Sequence, residues 1–417
     1  MHAADFILRH ARQLLACAGP APRRGPGIPL PAIPDGALAA FRGRIVFAGP
    51  TSALADHVTP TPNASVVDVP DLTIVPGFVD PHTHAMFAGD RRDELRRRLG
   101  GATYTQIAAA GGGILSTVRA TREATEDELA QATTIRLDEM LACGTTTCEI
   151  KSGYGLNLET ELKMLRALRG VAAVHPMSIV PTFLGAHEVP IEYRSSRAAY
   201  VDLVVNEMLP AVAAERAAGW CDVFCEAGVF TADESVRILE AGLGHGLKAR
   251  IHADELGPSG GSQAAARVGA RSADHLIFVP PEGMDAMAAA GVTATLLPAA
   301  AFYLKLGRFA PARELIARGV PVALATDVNP GGGFSPSVPF VMALACFAME
   351  MTFEEALIGA TLNAAWSLDL ANEVGSLEPG KLADAVLVNG EAIDLIRVGA
   401  PAIRAVVKRG KIAFGRL

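Results

Sequence analysis

Strand-like and helix-like segments alternate along most of the chain, from Thr73 to Val328. Short apolar runs rich in β-branched residues are followed by alanine-rich amphipathic stretches, a pattern typical of parallel strands joined by crossover helices. Eight such units within about 250 residues match the repeat number and size of a closed (β/α)8 barrel, or TIM barrel. The sequence therefore predicts an α/β fold of this type. The eight predicted strands lie near LTIVPGFVD, TTTCEIK, SIVPTFLGAH, CDVFCEAG, LKARIHAD, SADHL, VTATLLP and VPVALATD.

The two ends of the chain lack this alternation. Residues 1–72 and 374–417 contain short β-like runs, such as GRIVFAGP and LADAVLVNG, which are separated by glycine turns and include no long helix. Such runs are typical of strands joined by tight turns. We therefore predict that both ends meet in one small β-sandwich domain beside a barrel formed by residues 73–373. The segment Pro20–Pro34 is rich in proline and glycine and is expected to be an exposed loop.

Composition and charge argue against several classes of partner and location. The 417 residues include 37 basic and 44 acidic side chains, a net charge of −7, which does not favour nucleic-acid binding. A long uncharged run, residues 286–304, contains Gly291 and Pro298 and does not predict a membrane span. Charged residues break up the apolar stretch near the N-terminus that a signal peptide would need. Six scattered cysteines indicate a reducing compartment, so we predict a cytoplasmic protein.

Titratable side chains concentrate where the predicted strands end. In a (β/α)8 barrel the carboxyl ends of all strands meet at one mouth, and the chemistry of these folds takes place there. Five of the ten histidines fall at these ends, a placement that chance does not readily produce. The sequence thus predicts a functional site at the mouth. The polar residues at the strand ends are His82, His84, Lys151, Tyr154, His187, Glu226, His252, Asp254, Glu255, His275 and Asp327.

The HxH pair formed by His82 and His84 suits a metal site, because residues two apart on a strand point to the same side. On its own the pair is equally consistent with two strand-end residues bonded to loop backbone. With His252, His275 and Asp327 at other strand ends, a metal site is favoured. Imidazoles with one carboxylate suit zinc or iron. We predict His82, His84, His252 and Asp327 as ligands, and His275 as a fifth ligand or as the group that polarises a substrate carbonyl.

The fourth predicted strand bears on the number of metal ions. A two-metal site would need a bridging group there, often a modified lysine, whereas this strand end offers Glu226. Lys151 lies on the second strand, and we interpret it as structural or as a neighbour of the ligands. We therefore predict one divalent or trivalent metal ion per subunit, either zinc or iron.

Two further segments are expected beside the mouth. Arg91 follows the first strand in AGDRRDE, where a guanidinium can hold a carboxylate through two hydrogen bonds. The alternative is a surface ion pair with a neighbouring acid, Asp90, Asp93 or Glu94. Gly111–Gly113 lack the spacing and the preceding strand of a dinucleotide-binding fingerprint, so we expect a loop that contacts substrate or acts as a hinge.

Two motifs, VDPHTH at the start of the barrel and ATDVNPG at its end, resemble the amidohydrolase superfamily, as does the tail GSLEPGKLADAVLV. More narrowly, the chain resembles the branch of that superfamily that hydrolyses 4-imidazolone-5-propanoate to N-formimino-L-glutamate, the third step of histidine degradation. The motifs of this branch are together far more specific than the HxH pair alone. In order, they are DPHTHAMFAGDRRDE, GGGILSTV, GTTTCEIKSGYGL, FLGAHEVPIEY, EAGVFT, IHADEL, SADHL and ATDVNPG.

The resemblance implies metal-dependent hydrolysis of a cyclic amide C–N bond, a small-molecule substrate with a carboxylate tail, and a homodimer. Another cyclic amide or amidine hydrolase, or a heterocycle deaminase, is the alternative enzyme, and a metal-binding sensor is the non-enzymatic alternative. The metal ligands implied are His82, His84, His252 and Asp327. The substrate contacts implied are Arg91, Tyr154, His187 and Glu255, with Asn329 and Gly331 near the product. The catalytic residues expected are Glu255, His275 and Asp327, and either carboxylate could carry the proton.

One segment departs from the pattern of this branch. After DVNPG the pattern continues with a small hydroxyl residue and then SP, whereas this chain has Gly332, Gly333 and Phe334 before Ser335. The hydroxyl expected to touch the ligand is therefore missing at Gly332, and the loop is longer. Ser335 and the backbone amides of the loop are the two candidates for replacing that contact.

Overall fold

Two eight-stranded sheets organise the residues that the structure, a computed structural model, describes: 1–102, 106 and 111–417. The first sheet is parallel, and its strands follow chain order. This order confirms the predicted (β/α)8 architecture. The strands are β6 (Phe78–Asp80), β7 (Thr145–Lys151), β8 (Ser178–Ala186), β9 (Trp220–Cys225), β10 (Lys248–Ala253), β11 (Ser272–His275), β12 (Thr293–Leu296) and β13 (Val322–Leu324).

The first and last strands of this sheet approach each other at the mouth. The backbone N–H of Asp327 donates to the carbonyl of His82, and the N–H of His84 donates to the carbonyl of Val328. These bonds join the segments that follow β6 and β13. They place the HxH pair and Asp327 side by side, although more than 240 residues separate them in the chain.

The second sheet is built from both ends of the chain, as predicted. Its order is β16-β15-β14-β5-β1-β2-β3, with β4 paired to β1. Apolar side chains from the N-terminal and C-terminal strands pack in one cluster that includes Leu8, Leu38, Leu387 and Val407. The strands are β1 (His2–Leu14), β2 (Ile33–Phe41), β3 (Arg44–Pro50), β4 (Val58–Asp68), β5 (Leu72–Pro76), β14 (Ala385–Asn389), β15 (Ile403–Lys408) and β16 (Lys411–Gly415).

The strand predicted at LTIVPGFVD is in fact two strands in different sheets. β5 pairs with β1 and β14 in the terminal sheet, whereas β6 begins the barrel. The break falls at Gly77, whose N–H donates to the carbonyl of Asp384, and a Cβ at this position would overlap Thr146. Proline at position 76 has no N–H to continue a ladder, so the chain leaves one sheet there and enters the other. The domain limits at residues 72 and 373 remain a prediction.

Helices follow the barrel strands, and several begin at a threonine whose side chain is bonded reciprocally to a glutamate three residues later. This capping box occurs at Thr125, Thr231 and Thr352 and satisfies backbone N–H groups that the first helical turn leaves free. The helices of the described residues are 54–57, 92–99, 114–123, 126–142, 158–174, 197–203, 209–215, 232–244, 261–268, 281–290, 298–303, 312–317, 338–348, 353–359 and 362–367. A π-helical turn spans 204–208, and short 3-10 helices span 51–53, 191–193 and 392–396.

The described helices also bear on the membrane prediction. None of them combines the length and the apolarity that crossing a bilayer requires.

All six cysteines are free.

Candidate active site

A cavity of about 580 Å³ opens at the mouth of the barrel. Ten of the eleven residues predicted for the site line it, and His82 lies buried beside it. The structure thus brings together residues from most of the strand ends, while their individual roles remain predictions. The ten lining residues are His84, Arg91, Tyr154, His187, His252, Glu255, His275, Asp327, Asn329 and Gly331.

Ligand atoms of several of these residues converge on one point. The Nε2 atoms of His84 and His252 are 3.2 Å apart, and Asp327 Oδ1 lies 3.6 Å from His84 Nε2 and 3.7 Å from His82 Nε2. His82 Nε2 and Asp327 Oδ1 are buried and have no hydrogen-bond partner. Buried polar atoms are rarely left without a partner, so this arrangement fits a site for a metal ion. His275 also fits, because it lies within 4.8 Å of the ligand atoms of His82 and Asp327.

Carboxylates outside the cluster set the tautomers of two histidines. His82 Nδ1 lies 2.6 Å from Asp274 Oδ2, and His252 Nδ1 lies 3.2 Å from Asp222 Oδ1. An ionised carboxylate can only accept a hydrogen bond, so Nδ1 carries the proton and donates, and Nε2 of each ring keeps the lone pair that a metal needs. Burial, helped by the nearby Lys151 ammonium, lowers the pKa of His82 well below its ordinary value and keeps the ring neutral.

Arg91 also lines the cavity and is buried rather than exposed. Its Nε donates to Glu94 Oε2 at 2.8 Å, so it forms an ion pair with one of the acids considered above, but not at the surface. The other oxygen of Glu94 accepts the N–H of Gly113 at 2.8 Å. Gly331 packs against the guanidinium, where a Cβ would overlap it. The pair thus fixes the plane of the guanidinium and connects it to the glycine-rich segment.

Tyr154 is positioned by a loop built around a buried carboxylate. Glu161 accepts the backbone N–H groups of Gly153, Gly155 and Leu156 at 2.8–3.2 Å, and Leu156 has a positive φ of 51°. The carbonyl of Gly153 in turn accepts a hydrogen bond from His187 Nδ1 at 2.9 Å. Glu161 therefore places both Tyr154 and His187 without lining the cavity itself.

The hydrogen bond to Gly153 also determines what His187 offers to a ligand. Because Nδ1 carries the proton, Nε2 is a hydrogen-bond acceptor. Burial lowers the pKa of His187 to about 3, so the ring is neutral at physiological pH. Its ring stacks on that of His84, with centroids 4.8 Å apart.

Glu255 and His275 form the third part of the site. Glu255 Oε2 lies 3.5 Å from His275 Nε2. Burial raises the pKa of Glu255 well above its ordinary value, and the adjacent Asp327 carboxylate adds to the effect. His275 and Asp327 have positive φ angles of 73° and 56°, a conformation that costs energy in residues other than glycine and is often found at functional sites.

Two acids at the predicted strand ends have structural partners instead. Asp254 accepts N–H groups of Ser259, Gly260 and Ser262 and holds the turn after β10. Glu226 accepts the N–H groups of Ala227 and Leu256, and so supports the loop that carries Glu255. Neither lines the cavity.

The longer loop after Asp327 is organised by Asn329. Its Oδ1 accepts the N–H groups of Gly331 and Gly332 at 2.8 and 2.6 Å, and its Nδ2 donates to the Asp327 carbonyl. Of the two candidates for the missing hydroxyl contact, Ser335 does not line the cavity and these two amides are already bonded to Asn329. A Cβ at Gly333 would overlap the Asp327 carbonyl, which explains the glycine there.

Several residues that shape the site were not singled out by the sequence, chiefly Glu149, Glu161, Asp222 and Asp274, and Glu94 was considered only as a surface partner of Arg91. Glu94 had a local signal, since it lies three residues after Arg91 and faces it across one helical turn. Asp274 contacts His82 across 192 positions of the chain, and no local pattern could indicate that pairing.

Known proteins resemble this chain over nearly its whole length. The family model described as "Amidohydrolase family" matches residues 73–414. An imidazolonepropionase from Symbiobacterium thermophilum is 50% identical over 99% of this chain and 98% of its own length. One from Geobacillus thermodenitrificans is 47% identical over 98% of this chain and 97% of its own length.

Solved structures share the fold at much lower identity. An adenosine deaminase from Xanthomonas campestris with bound zinc has a TM-score of 0.70 at 18% identity, covering 99% of this chain and 94% of that chain. The E. coli guanine deaminase has a TM-score of 0.73 at 16% identity, covering 99% of this chain and all of that chain. These likenesses concern the fold alone. From the matched family model and the close relatives, the chain belongs to the amidohydrolase family and, within it, to the imidazolonepropionase family.

Proposed function

We propose that this protein hydrolyses the cyclic amide C–N bond of 4-imidazolone-5-propanoate and releases N-formimino-L-glutamate, a step of histidine degradation. One observation carries the proposal beyond family membership. A single cavity is lined both by residues of a cluster of metal-type ligand atoms and by a buried arginine. The proposed substrate has the matching features, a neutral ring with a carbonyl and a negatively charged propionate.

The amidohydrolase superfamily is metal-dependent, and the donor set supports one zinc or iron ion held by His82, His84, His252 and Asp327. When bound, such an ion would polarise the ring carbonyl and lower the pKa of a water molecule toward neutrality. Three imidazoles and a carboxylate suit either metal. The outer partners Asp222 and Asp274 support this assignment, because they leave Nε2 of two rings free to bind.

Glu255 is the better candidate for proton transfer. Asp327 Oδ1 converges with the histidine Nε2 atoms, whereas Glu255 faces the cavity beside His275. In the proposed reaction the oxygen of water bonds to the ring carbonyl carbon, and Glu255 takes the proton that water loses. As the C–N bond breaks, Glu255 returns that proton to the departing ring nitrogen. Burial and the adjacent Asp327 carboxylate raise the pKa of Glu255 above its ordinary value, which favours a group that can both accept and donate a proton.

His275 and His187 would orient the ring in this proposal. His275 lies within reach of Glu255 and of the ligand cluster, where it can stabilise the oxyanion that develops on the carbonyl oxygen. His187 presents Nε2 as an acceptor, which suits a ring N–H rather than an unprotonated ring nitrogen. The two histidines thus favour one orientation of a ring that has both a carbonyl and an N–H group.

The proposal is tested by following loss of imidazolone absorbance with purified protein, together with elemental analysis for zinc and iron. We expect turnover that depends on about one equivalent of metal per chain. A protein that leaves the imidazolone intact but releases ammonia from other heterocycles would instead be a deaminase. A protein that binds metal and turns over no heterocycle would support the sensor alternative.

Arg91→Ala is expected to raise KM by roughly 10–100-fold, because hydrogen bonds to a charged group contribute about 1.5–3 kcal/mol. The change in kcat should be small, since the propionate lies away from the reacting carbonyl. Steady-state kinetics on the imidazolone would measure both constants. Arg92→Ala is the matched control, because the adjacent Arg92 side chain is 75% exposed and pairs with Asp90. An Arg91→Ala enzyme with the KM of the Arg92→Ala enzyme would rule out the clamp.

A further inference from the structure

Lys151, the last residue of β7, is fully buried and does not line the cavity. Its Nζ lies 2.8 Å from Glu149 Oε1 and 2.8 Å from Asp222 Oδ2. All three side chains are fully buried. Although burial disfavours the ammonium charge, Asp222 and Glu149 together raise the pKa of Lys151 above its ordinary value, so it stays charged. The mechanism described above does not use this lysine.

Glu149 connects Lys151 to the HxH segment. Glu149 Oε2 accepts the backbone N–H of Thr83 at 3.1 Å, and Thr83 lies between His82 and His84. Two more bonds join the same segments, since the Thr83 hydroxyl donates to the Glu149 carbonyl and the Lys151 N–H donates to the Thr83 carbonyl. The end of β7 therefore holds the backbone from which both histidines project.

Asp222 connects Lys151 to His252. Asp222, whose Oδ2 pairs with the lysine, lies 3.2 Å through Oδ1 from His252 Nδ1. One ammonium group thus connects two carboxylates, and each carboxylate holds a different part of the ligand cluster. The first part follows β6 and the second lies in β10, and these strands are four positions apart in the parallel sheet.

We propose that Lys151 is a positioning residue for the metal centre, setting the distance between the His82–His84 segment and His252 through Glu149 and Asp222. This inference rests on the metal site of the proposed function. Partners that lie one bond beyond the ligands orient them, and their loss typically weakens metal binding by about 10–100-fold. Lys151 would act in the same way, one bond further out.

The sign of the effect separates this proposal from simple electrostatics. A buried ammonium near a cation site repels the metal ion, so on charge alone removing it should strengthen metal binding. A positioning role predicts the opposite, because Glu149 and Asp222 would lose their common partner and His252 its fixed orientation. The direction of the change in metal affinity therefore decides between the two.

A matched control is available in the terminal sheet. Lys408, in β15, is also a buried lysine paired with a carboxylate, since its Nζ lies 2.6 Å from Asp384 Oδ2 and 2.9 Å from the Ser178 hydroxyl. It contacts none of the histidines of the cluster. Methionine at position 151 leaves two buried carboxylates without their cation and methionine at position 408 leaves one, so both variants are expected to lose stability.

The experiment compares the full-length wild type, Lys151→Met and Lys408→Met after chelator stripping. Each is titrated with Zn²⁺ against a competing indicator at a temperature where its melting curve shows it folded. We expect the Zn²⁺ Kd of Lys151→Met to rise about 10–100-fold, and that of Lys408→Met to stay within about twofold of wild type. An unchanged or lower Kd in Lys151→Met, or an equal rise in both variants, would overturn the proposal.

If Lys151→Met does not fold, Glu149→Gln tests the connection from Lys151 through Glu149 to the HxH segment. It keeps the size of the side chain and an acceptor for the Thr83 N–H, but removes the charge that holds the ammonium. Its Zn²⁺ Kd should rise at least about threefold, and a wild-type value would refute the role of Lys151. Imidazolone turnover by the wild type is assayed in parallel. The wild type could be inactive on the imidazolone while Lys151→Met still shows weakened Zn²⁺ binding. That result would refute the proposed reaction and support the positioning role of Lys151.

Discussion

Glu255→Gln is expected to lower kcat by roughly 10²–10⁴-fold, the usual contribution of a general acid–base group, while metal content stays at the wild-type level. The amide keeps the size of the carboxyl but can neither take a proton from water nor return one to the ring nitrogen. Metal content should be unaffected because Asp327, not Glu255, lies among the converging ligand atoms. Kinetics and elemental analysis of the same preparation measure both quantities.

The pH dependence gives a second readout of the same residue. Burial raises the pKa of Glu255 well above its ordinary value, so the ionised form that acts as a base is lost as pH falls through that raised pKa. Wild-type kcat should therefore decline on the acidic side, and the decline attributable to Glu255 should be missing from the residual activity of Glu255→Gln. Near-normal turnover in Glu255→Gln would transfer the proton role to Asp327.

His252→Ala is expected to remove both metal binding and turnover. Losing a ligand should weaken metal binding by more than the roughly 10–100-fold that loss of an outer hydrogen-bond partner costs. It would also leave Asp222 without the ring it orients. Metal content after dialysis, together with kcat at saturating Zn²⁺, would measure the effect.

His245→Ala serves as the control for that variant. His245 is an exposed histidine that caps the end of the helix Ala232–Gly244, where its backbone N–H donates to the carbonyls of Ala241 and Gly242. It should retain wild-type metal content and activity. A His252→Ala protein that still retains stoichiometric metal and activity would mean that the ligand set is wrong.

The strands of the barrel were predictable because each is a local pattern. Apolar β-branched runs at regular spacing reveal parallel strands, and the mouth follows from the rule that their carboxyl ends share one face. That rule was enough to place His84, His252, His275 and Asp327 around one cavity. The interpretation of LTIVPGFVD as one strand was wrong. The sequence there is a nearly continuous apolar run, and this pattern does not show that the chain changes from one sheet to the other between β5 and β6. Which sheet each joins depends on partners such as β14, which lies about 300 residues further along the chain.

Sequence by itself determined the residue types at the mouth and the order in which the strands deliver them. Only the tertiary structure decided what each charged side chain does. Arg91 is buried against Glu94, and Asp254 and Glu226 hold backbone turns rather than face the cavity.

The same holds for HxH at residues 82–84. The motif indicates two imidazoles on one side, but the tautomer of His82 depends on Asp274 and the support of its backbone on Glu149 and Lys151. These partners come from other strands, and burial makes their pairing obligatory because an unpaired charge inside a protein is costly. Local periodicity can predict where a strand ends, whereas the choice of partner in the interior is made by the packing of the whole barrel.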